Sequence, residues 1–450
     1  MASIAASLAR IKENPLAAVS ASLVEDICRK HGYSWREREL DPATTVALFM
    51  QQITKGNVPC TEVRHFDGGR PFTPQAYCQA RARLPLPVYR GLLTAVCDGA
   101  LQQTRQTTHL WHGHRTFHVD GTTFSMPDTE ELQAAFGMPP GQKEGCGFPV
   151  AHMLVMFSAA TGLMVEAIAS PLRTGDLAET PGMHQHLKEG DILLGDGSFG
   201  SYVHLALLTG KKMHGLFPVH HLRIVDFRRN RPHTREGADA VKGMPRSRWI
   251  KSLGREDQLV EYFKPKQKPL WMSRKAYDTV PKSIIVRELR RTVCRPGLGK
   301  VTLTMVTTLL DAEKYPVGEL LELRLRRWDV ETNIGHLKTT MGMDVLHCKT
   351  EAGVRKELAI FCLVYNLVRV VMLEGARRQE VPVSRISFAD ALGWMRNARP
   401  GDVLPKLVVN PWRPNRTEPR CKKRRPKPYD QMNKPRSELR ERLKLQAKAA

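Results

Sequence analysis

Three carboxylates stand out in the sequence because of the segments that carry them. Asp120 follows an apolar, strand-like segment in HVDGTT, and Asp196 follows another in LLGDGSF. Glu331 lies in the helical segment LRLRRWDVETNIGHLK. Two aspartates at adjacent strand ends and a glutamate on a packing helix could bind two divalent cations about 3.5–4 Å apart. Hard oxygen ligands favour Mg²⁺, with Mn²⁺ as a substitute, and such a pair supports in-line displacement at phosphorus.

Each aspartate also has a purely structural interpretation. Asp-Gly is a frequent turn dipeptide, so either aspartate taken alone could simply form a turn. The order strand-Asp, strand-Asp, helix-Glu favours a joint function. Three carboxylates brought together without a cation would repel one another and raise each other's pKa.

Basic residues surround Glu331. Arg324, Arg327 and Lys338 stand seven before, four before and seven after it, and these offsets return to nearly the same face of a helix. Arginine suits bidentate phosphate contacts and lysine suits a point-charge contact. The alternative is a solvated Arg–Glu pair, which contributes only about 0.2–0.5 kcal/mol. Because three cations exceed what one glutamate neutralises, we expect this face to hold DNA phosphates.

The surrounding segments predict the elements that position these residues. RTFHVDGTTFSMP reads as a strand that runs through Asp120 into a turn, and HMLVMFSAATGLMVEAIAS reads as a hairpin. DILLGDGSFGS is a strand ending at Asp196, followed by a helix in SYVHLALLTG and a strand in KMHGLFP. Residues 220–310 contain further β-like pieces, and the helical segment 316–341 carries Glu331. The pattern predicts an α/β core.

Helices are predicted on both sides of this core. Three short helices lie within residues 1–110, and one of them carries Gln79, Arg81 and Arg83 near its exposed end. They would suit a helix-turn-helix DNA-binding domain, with a helical cap or oligomerisation domain as the alternative. A long helix is predicted at 351–377 and a shorter one at 387–397.

The net charge of +24 over 450 residues is concentrated in two segments. Residues 220–300 hold 21 Lys/Arg against 8 Asp/Glu, and residues 411–450 hold 14 against 4. A polyanionic partner such as nucleic acid explains this excess, with solubility alone as the alternative. The second segment is rich in Pro, Lys and Arg, and we expect it to be disordered without DNA. Its cluster Lys422, Lys423, Arg424 and Arg425 is a candidate DNA contact.

Other function classes are disfavoured. The nine cysteines include no CxxC pair, which argues against a zinc module or a disulfide framework and favours a reducing compartment. His109, His112, His114 and His118 therefore read as surface or core histidines rather than zinc ligands. The apolar run LAIFCLVYNLVRVVML contains an asparagine and an arginine and is too short to span a bilayer. We expect a cytoplasmic, nucleoid-associated protein without a membrane partner.

The chain resembles DDE-class transposases of bacterial insertion sequences, specifically the insertion-sequence-four family. The signature of that family is Tyr-x2-Arg-x3-Glu-x6-Lys, and the spacing recurs here as Arg324-x2-Arg327-x3-Glu331-x6-Lys338. The core RWDVE, the contexts DGT and DGS of the two aspartates, and the segments AYCQARARLP and KKRRPKPY also resemble the family. Arg324 replaces the signature tyrosine, so any role of a tyrosine hydroxyl there is lost or rerouted.

The resemblance implies a ribonuclease-H-like mixed-sheet catalytic core interrupted by a mainly β insertion, with helical N-terminal and C-terminal domains. It implies that Asp120, Asp196 and Glu331 are catalytic residues and bind two Mg²⁺ ions. The expected domains are a helical DNA-binding domain at 1–110, a core in two parts at 111–219 and 311–350, a basic insertion at 220–310, a helical domain at 351–410 and a basic tail at 411–450.

The implied reaction is cut-and-paste transposition. The enzyme would nick the element end, use the resulting 3′-hydroxyl to attack phosphodiesters, and join it to target DNA. Its partners would be double-stranded DNA, in terminal inverted repeats and target, and a second copy of the chain on paired ends. In the insertion, Trp271 would stack on a base, with Trp249 second and with Arg274 and Lys275 as neighbouring contacts; a core role for Trp271 stays open. The alternatives are a metal-dependent endonuclease without strand transfer and a catalytically silent DNA-binding protein.

Overall fold

One nine-stranded mixed sheet runs through the protein. The computed structural model describes residues 19–66, 71–104, 110–140, 143, 145–295, 299–398, 402–411 and 434–449. The strands are β1 (Thr116–Ser125), β2 (Val150–Ser158), β3 (Met164–Pro171), β4 (Ile192–Leu194), β5 (His214–Pro218), β6 (Arg248–Gly254), β7 (Asp257–Phe263), β8 (Ser283–Arg295) and β9 (Gly299–Thr307). Their order across the sheet is β3-β2-β1-β4-β5-β9-β8-β7-β6.

The first five strands form the predicted ribonuclease-H-like mixed sheet. β1 pairs with β2, and β2 with β3, in antiparallel fashion, whereas β4 and β5 run parallel to β1. The predicted hairpin is therefore β2 and β3. The strand, helix and strand expected after Asp191 are also present. The predicted fold class is confirmed.

The parallel pairing of β1 with β4 determines how far along the two strands Asp120 and Asp196 lie. This pairing ends where His118 stands opposite Leu194. Asp120 and Asp196 each lie two residues beyond that point, so the register brings them to the same end of the two strands. The expectation that the strand ends at Asp120 was wrong, and so was the alternative that Asp120 and Gly121 form a turn. β1 continues to Ser125 because β2 pairs with it along its whole length, overriding the local turn preference of Asp-Gly.

Fourteen helices are present in the described ranges. They are α1 (Ala21–Lys30), α2 (Pro42–Thr54), α3 (Cys60–Val63), α4 (Pro74–Arg83), α5 (Leu86–Thr104), α6 (Glu130–Phe136), α7 (Asp176–Met183), α8 (Tyr202–Gly210), α9 (Arg274–Thr279), α10 (Val317–Leu325), α11 (Trp328–Gly335), α12 (Glu351–Gln379), α13 (Phe388–Asn397) and α14 (Arg436–Ala449). Asp41 and Thr73 cap α2 and α4, each accepting a backbone N–H three residues later.

The long helix α12 lies in the core. It is apolar and long enough to cross a membrane, yet 94% of its most apolar stretch is buried inside the protein. Its two polar interruptions bind the β2–β3 hairpin. Asn366 accepts a hydrogen bond from the Met164 amide and donates one to its carbonyl, and Arg369 donates to Thr161 O. The polar residues of the apolar run therefore satisfy the backbone groups of the hairpin turn and edge.

The basic insertion extends the core sheet rather than standing apart from it. β9 pairs with β5 in antiparallel fashion, and β8, β7 and β6 follow outward. The fully buried Arg287 on β8 makes a bidentate contact with Asp257 on β7, at 2.7 and 2.8 Å. It also donates to the Tyr315 carbonyl at 2.8 Å, just before α10. This arginine ties the insertion strands to the start of the helices that carry Glu331.

Two predicted segments differ from the structure. The single helix expected over 316–341 is interrupted at Arg326 and Arg327, between α10 and α11, and continues after α11 as a π-helical turn, His336–Thr340. The expected disorder of 411–450 was wrong for the end of the segment, where α14 forms; its sequence is rich in Leu, Glu, Lys, Arg and Ala, which favour helix. Lys422, Lys423, Arg424 and Arg425 lie outside the described residues.

Arg287→Met should strongly destabilise the protein. It leaves the buried Asp257 carboxylate without its counterion, which costs about 3–5 kcal/mol. Urea unfolding followed by circular dichroism measures this change. Arg274→Met is the control, because its ion pair with Asp278 is exposed and should contribute under about 1 kcal/mol. Equal losses in the two variants would contradict the tie assigned to Arg287.

Candidate active site

Asp120 lies at the open end of the β1–β4 pairing. Its side chain is 19% exposed. One carboxylate oxygen accepts the Gly121 amide at 3.0 Å, and the other accepts Nη1 of Arg327, also at 3.0 Å. The carboxylate is therefore held by one backbone donor and one cation.

Asp196 follows β4 and begins a short 3₁₀ turn, Gly197–Gly200. Its Oδ1 accepts both the amide of Ser198, at 2.8 Å, and the hydroxyl of the same residue, at 2.6 Å. Both bonds fall on one oxygen. Within the described part of the chain no hydrogen bond is made to Oδ2, which leaves that oxygen available to a ligand.

Glu331 lies on α11 and reaches the same site through Arg327. Nη2 of Arg327 donates to Oε1 of Glu331 at 2.9 Å while Nη1 binds Asp120. One guanidinium thus bridges the first and third carboxylates. Arg327 is 15% exposed, whereas Glu331 is 42% exposed, so the arginine forms the inner part of this pair.

Burial and charge both act on Asp120. Partial burial raises the pKa of this carboxyl above its ordinary value, and the negative charges of Asp196 and Asp176 act in the same direction. The Arg327 guanidinium and the Gly121 amide lower the pKa and offset part of this shift. The net direction is upward, with burial as its main cause.

The other basic residues of the signature lie around this site. Lys338, in the π-helical turn after α11, reaches Thr122 Oγ1 at 3.4 Å, on the strand that carries Asp120. Arg324 ends α10, and its charge acts on His118, two residues before Asp120. The structure therefore brings Arg324, Arg327 and Lys338 to β1, although a break in the helix separates Arg324 from the other two.

The residues fit a divalent cation by their chemistry. Three carboxylates supply hard oxygen donors, and the guanidinium bridging Asp120 and Glu331 shows that this position favours positive charge. In the described ranges, no three His, Cys, Asp or Glu side chains approach closely enough to hold a metal ion. Arg327 stands between two of the three predicted ligands, so the metal assignment of Asp120, Asp196 and Glu331 stays a prediction.

The helical N-terminal segment presents only part of its predicted DNA contacts. Gln79 and Arg83 are exposed on α4. Arg81 instead points inward. Its guanidinium donates to Gln52 and to Cys348 Sγ, each at 2.9 Å, and lies over the Phe49 ring. This placement contradicts the expectation that Arg81 is a surface contact, because its donors serve the domain interior.

Two arginines missed by the sequence interpretation lie beside Arg83. Arg36 and Arg38 line a cavity of about 350 Å³ together with Arg83, Tyr33 and Trp35. No carboxylate of the described residues pairs with these three arginines. A short segment, YSWRER, carries two of them, and its two aromatic residues followed by two arginines are the signal that could have revealed them.

Of the predicted DNA contacts in the insertion, the two basic residues are exposed and the tryptophans are half-buried. Arg274 and Lys275 are exposed at the start of α9, and Arg274 pairs with Asp278. Trp271 is half-buried and packs against an apolar cluster that includes Tyr262 and Tyr277. This placement favours the core interpretation of Trp271 that the sequence left open. Trp249 is half-buried on β6, and its buried Nε1 donates to no acceptor within the part of the chain that the structure describes.

The histidines that the sequence assigned to the surface or core differ in their contacts. His112 pairs with Glu319, and His114 bonds to the Tyr315 hydroxyl at 2.8 Å. His118 is fully buried on β1, and neither ring nitrogen has a hydrogen-bond partner among the described residues. Burial, together with nearby arginines, lowers the pKa of His118 to about 3. His109 lies outside the described residues.

A large cavity opens behind α11, on the side away from Glu331. Its volume is about 740 Å³. His118, Arg326, Asp329, Asn333 and Arg369 are among its lining residues. Burial raises the pKa of Asp329, so the wall combines two arginines with an acid and a neutral histidine.

The chain is similar in sequence to transposases. The family model described as "Transposase DDE domain" matches residues 111–367. The transposase InsG of insertion sequence element IS4 from Escherichia coli strain K12 is 26% identical over 393 residues, which cover 80% of this chain and 79% of InsG. The putative transposase InsZ of the same strain is 27% identical over 111 residues, covering 24% of this chain and 37% of InsZ.

Solved structures of transposases also align with this chain. The piggyBac transposase synaptic complex with hairpin DNA aligns over 86% of this chain and 80% of that chain, with 10% identity and a TM-score of 0.44.

His118→Phe should reduce the loss of unfolding free energy that occurs as the pH falls below 7. The unfolded histidine takes up a proton near its ordinary pKa of about 6.5, while the folded one resists protonation until about pH 3. The wild type therefore loses stability as the pH falls through this window, by at most about 1.4 kcal/mol per pH unit from this group. Urea unfolding with a chelator present, at pH 7, 6, 5 and 4, measures the difference between the two proteins.

As the pH falls, the unfolding free energy of His118→Phe should rise relative to that of the wild type. His221→Phe, at an exposed histidine, is the control and should show a nearly constant difference. A constant difference for His118→Phe as well would contradict the buried, unprotonated state of His118.

Proposed function

Because the chain belongs to the family of transposases with a DDE domain, we propose that Asp120, Asp196 and Glu331 are its catalytic triad. We propose further that the protein cuts the ends of its own element and joins them to target DNA. One observation carries this proposal: the parallel register of β1 and β4 brings the two aspartates to the same strand end, and Arg327 links Glu331 to the first of them.

The triad would hold divalent cations, with Mg²⁺ as the expected ion and Mn²⁺ as a substitute. Asp120 and Asp196 supply the ligands from the sheet, and Glu331 supplies the third from α11. When bound, the cations lower the pKa of the attacking water or hydroxyl and stabilise the leaving oxygen. Burial is the main cause of the raised pKa of Asp120, and the nearby carboxylates of Asp196 and Asp176 add negative charge that a cation would neutralise.

The residues around the triad orient it. Ser198 fixes one oxygen of Asp196, and the Gly121 amide fixes one oxygen of Asp120. Arg327 holds Glu331 beside β1 in the protein alone, where the three carboxylates would otherwise repel one another. A DNA phosphate offers Arg327 a second anionic partner, to which its planar donors are well suited.

The DNA strand would lie along the basic side chains that border the site. Lys338 beside Thr122 and Arg324 at the end of α10 extend the positive surface from Arg327. Arg83 and Gln79, together with Arg274 and Lys275, would contact more distant duplex. Binding should weaken with salt, because each neutralised phosphate releases counterions.

The reaction would proceed in successive displacements at phosphorus. Water attacks the phosphodiester at the element end and leaves a 3′-hydroxyl, a further displacement breaks the opposite strand, and the 3′-hydroxyl then attacks a phosphodiester of the target DNA with a 3′-oxygen of the target as the leaving group. One active site can perform every step, since the attacking and leaving groups are oxygens in each. Two element ends must be joined to one target, so we propose that the chain acts as a homodimer on paired inverted repeats, in the cytoplasm at the nucleoid.

Asp196→Asn should abolish cleavage and joining while DNA binding persists. Even residues that support a metal ligand typically contribute 10- to 100-fold, so loss of a ligand should lower the rates by more than about 100-fold. The assay follows a labelled duplex that carries the element's terminal repeat, with Mg²⁺ and a target plasmid, and a gel shift measures binding.

Glu189→Gln is the matched control. This acid lies before the opposite end of β4, is exposed and pairs with Lys212, so its rates should equal those of the wild type. Cleavage by Asp196→Asn at the wild-type rate would refute the triad. If the wild type cuts without joining, the protein is an endonuclease; if it binds without cutting, it is a silent DNA-binding protein.

A further inference from the structure

A fourth carboxylate lies against the strand that carries Asp120. Gly121 follows Asp120 on β1, and a Cβ atom built on Gly121 would stand 2.3 Å from Oδ1 of Asp176 and 3.0 Å from its Cγ. Such distances do not occur between non-bonded atoms. Any side chain at position 121 would therefore displace Asp176, and the glycine is required for this close approach.

A histidine fixes this carboxylate. His152 on β2 contacts Oδ1 of Asp176 through Nε2 at 2.7 Å, and its other ring nitrogen lies 3.4 Å from the hydroxyl of Ser170 on β3. The side chains of His152 and Asp176 are 12% and 26% exposed. Asp176 is the first residue of α7, so the helix and the histidine together determine where the carboxylate stands.

Only the backbone of β1 separates Asp176 from the catalytic strand end. Side chains alternate across a strand, so Asp176 approaches the face of β1 opposite to the Asp120 side chain. Pairing with β4 has already ended at His118, so no neighbouring strand covers this edge. The negative charge of Asp176 raises the pKa of Asp120, as does that of Asp196.

We propose that Asp176, held by His152 over Gly121 on the far face of β1, strengthens the affinity of the catalytic centre for divalent cations through its negative charge. Asp176 is a positioning residue: it acts through its charge on the site formed by Asp120 and Asp196. This inference rests on the proposed function, because it requires that those two residues bind the cation.

Titration of the full-length protein with Mn²⁺, without DNA, tests the proposal. Electron paramagnetic resonance of free Mn²⁺ gives the dissociation constant directly, with no reliance on activity. Asp176→Asn keeps the size of the side chain and removes its charge. It should weaken Mn²⁺ binding about three- to tenfold, as expected when one unit charge near a dication is neutralised.

A second His–carboxylate pair provides the matched control. His186 contacts Glu166 at 3.1 Å, and both side chains are half-buried, at 21% and 16% exposure. Glu166→Gln should leave the Mn²⁺ dissociation constant within twofold of the wild type. Thermal unfolding with a chelator present should give similar midpoints for Asp176→Asn and Glu166→Gln, which separates a charge effect on the site from a folding defect.

Gly121 supplies an independent test. Gly121→Ala should destabilise the protein and weaken Mn²⁺ binding, because the added methyl group collides with Asp176. The double variant Gly121→Ala with Asp176→Ala removes the contacts with Asp176 and leaves only the 3.0 Å contact with His152 Nε2. It should recover stability while its affinity for Mn²⁺ stays as low as that of Asp176→Ala alone.

The outcomes separate this inference from the proposed function. Asp120→Asn should abolish tight Mn²⁺ binding, and if the wild type binds no Mn²⁺ or Asp120→Asn binds it normally, both proposals fail. If the wild type binds Mn²⁺ through Asp120 but Asp176→Asn binds it equally well, only the role of Asp176 is overturned. Recovery of wild-type affinity in the double variant would also overturn it.

Discussion

The guanidinium of Arg327 lies between two carboxylates that would repel each other if both were ionised with no cation between them. It binds Asp120 with one nitrogen and Glu331 with another, and so joins the sheet to α11. The break between α10 and α11 occurs at Arg326 and Arg327, which directs the arginine toward β1. In the protein alone this residue provides the charge that a cation would provide during the reaction.

The rest of the fold keeps the two sides of this contact in place. On one side, the parallel register of β1 and β4 sets the level of Asp120 and Asp196. On the other, the buried Arg287 ties the insertion to the segment before α10, so the Glu331 helices are anchored to the far half of the sheet. The basic insertion is therefore part of the scaffold of the site.

Local sequence patterns predicted the elements whose formation depends on residues close together in the chain. The capped helices, the hairpin and the strand ending at Asp196 came from alternation, turn residues and N-caps. Pairings distant in sequence could not be seen in the same way. Asp-Gly at 120–121 reads as a turn, but β2 pairs through it, and the glycine instead admits a carboxylate 55 residues further along the chain. Arg81 looked exposed on α4, but its partner Cys348 lies 267 residues away.

The most direct measurement is the crystal structure of the full-length protein with a terminal-repeat duplex and Mn²⁺, recorded at the manganese absorption edge. The anomalous map should show manganese bound by Asp120 and Asp196, with Glu331 turned toward it. Arg327 should have left Asp120 and should contact a DNA phosphate. Manganese bound elsewhere, or Arg327 still bridging Asp120 and Glu331 with the DNA seated, would contradict the account.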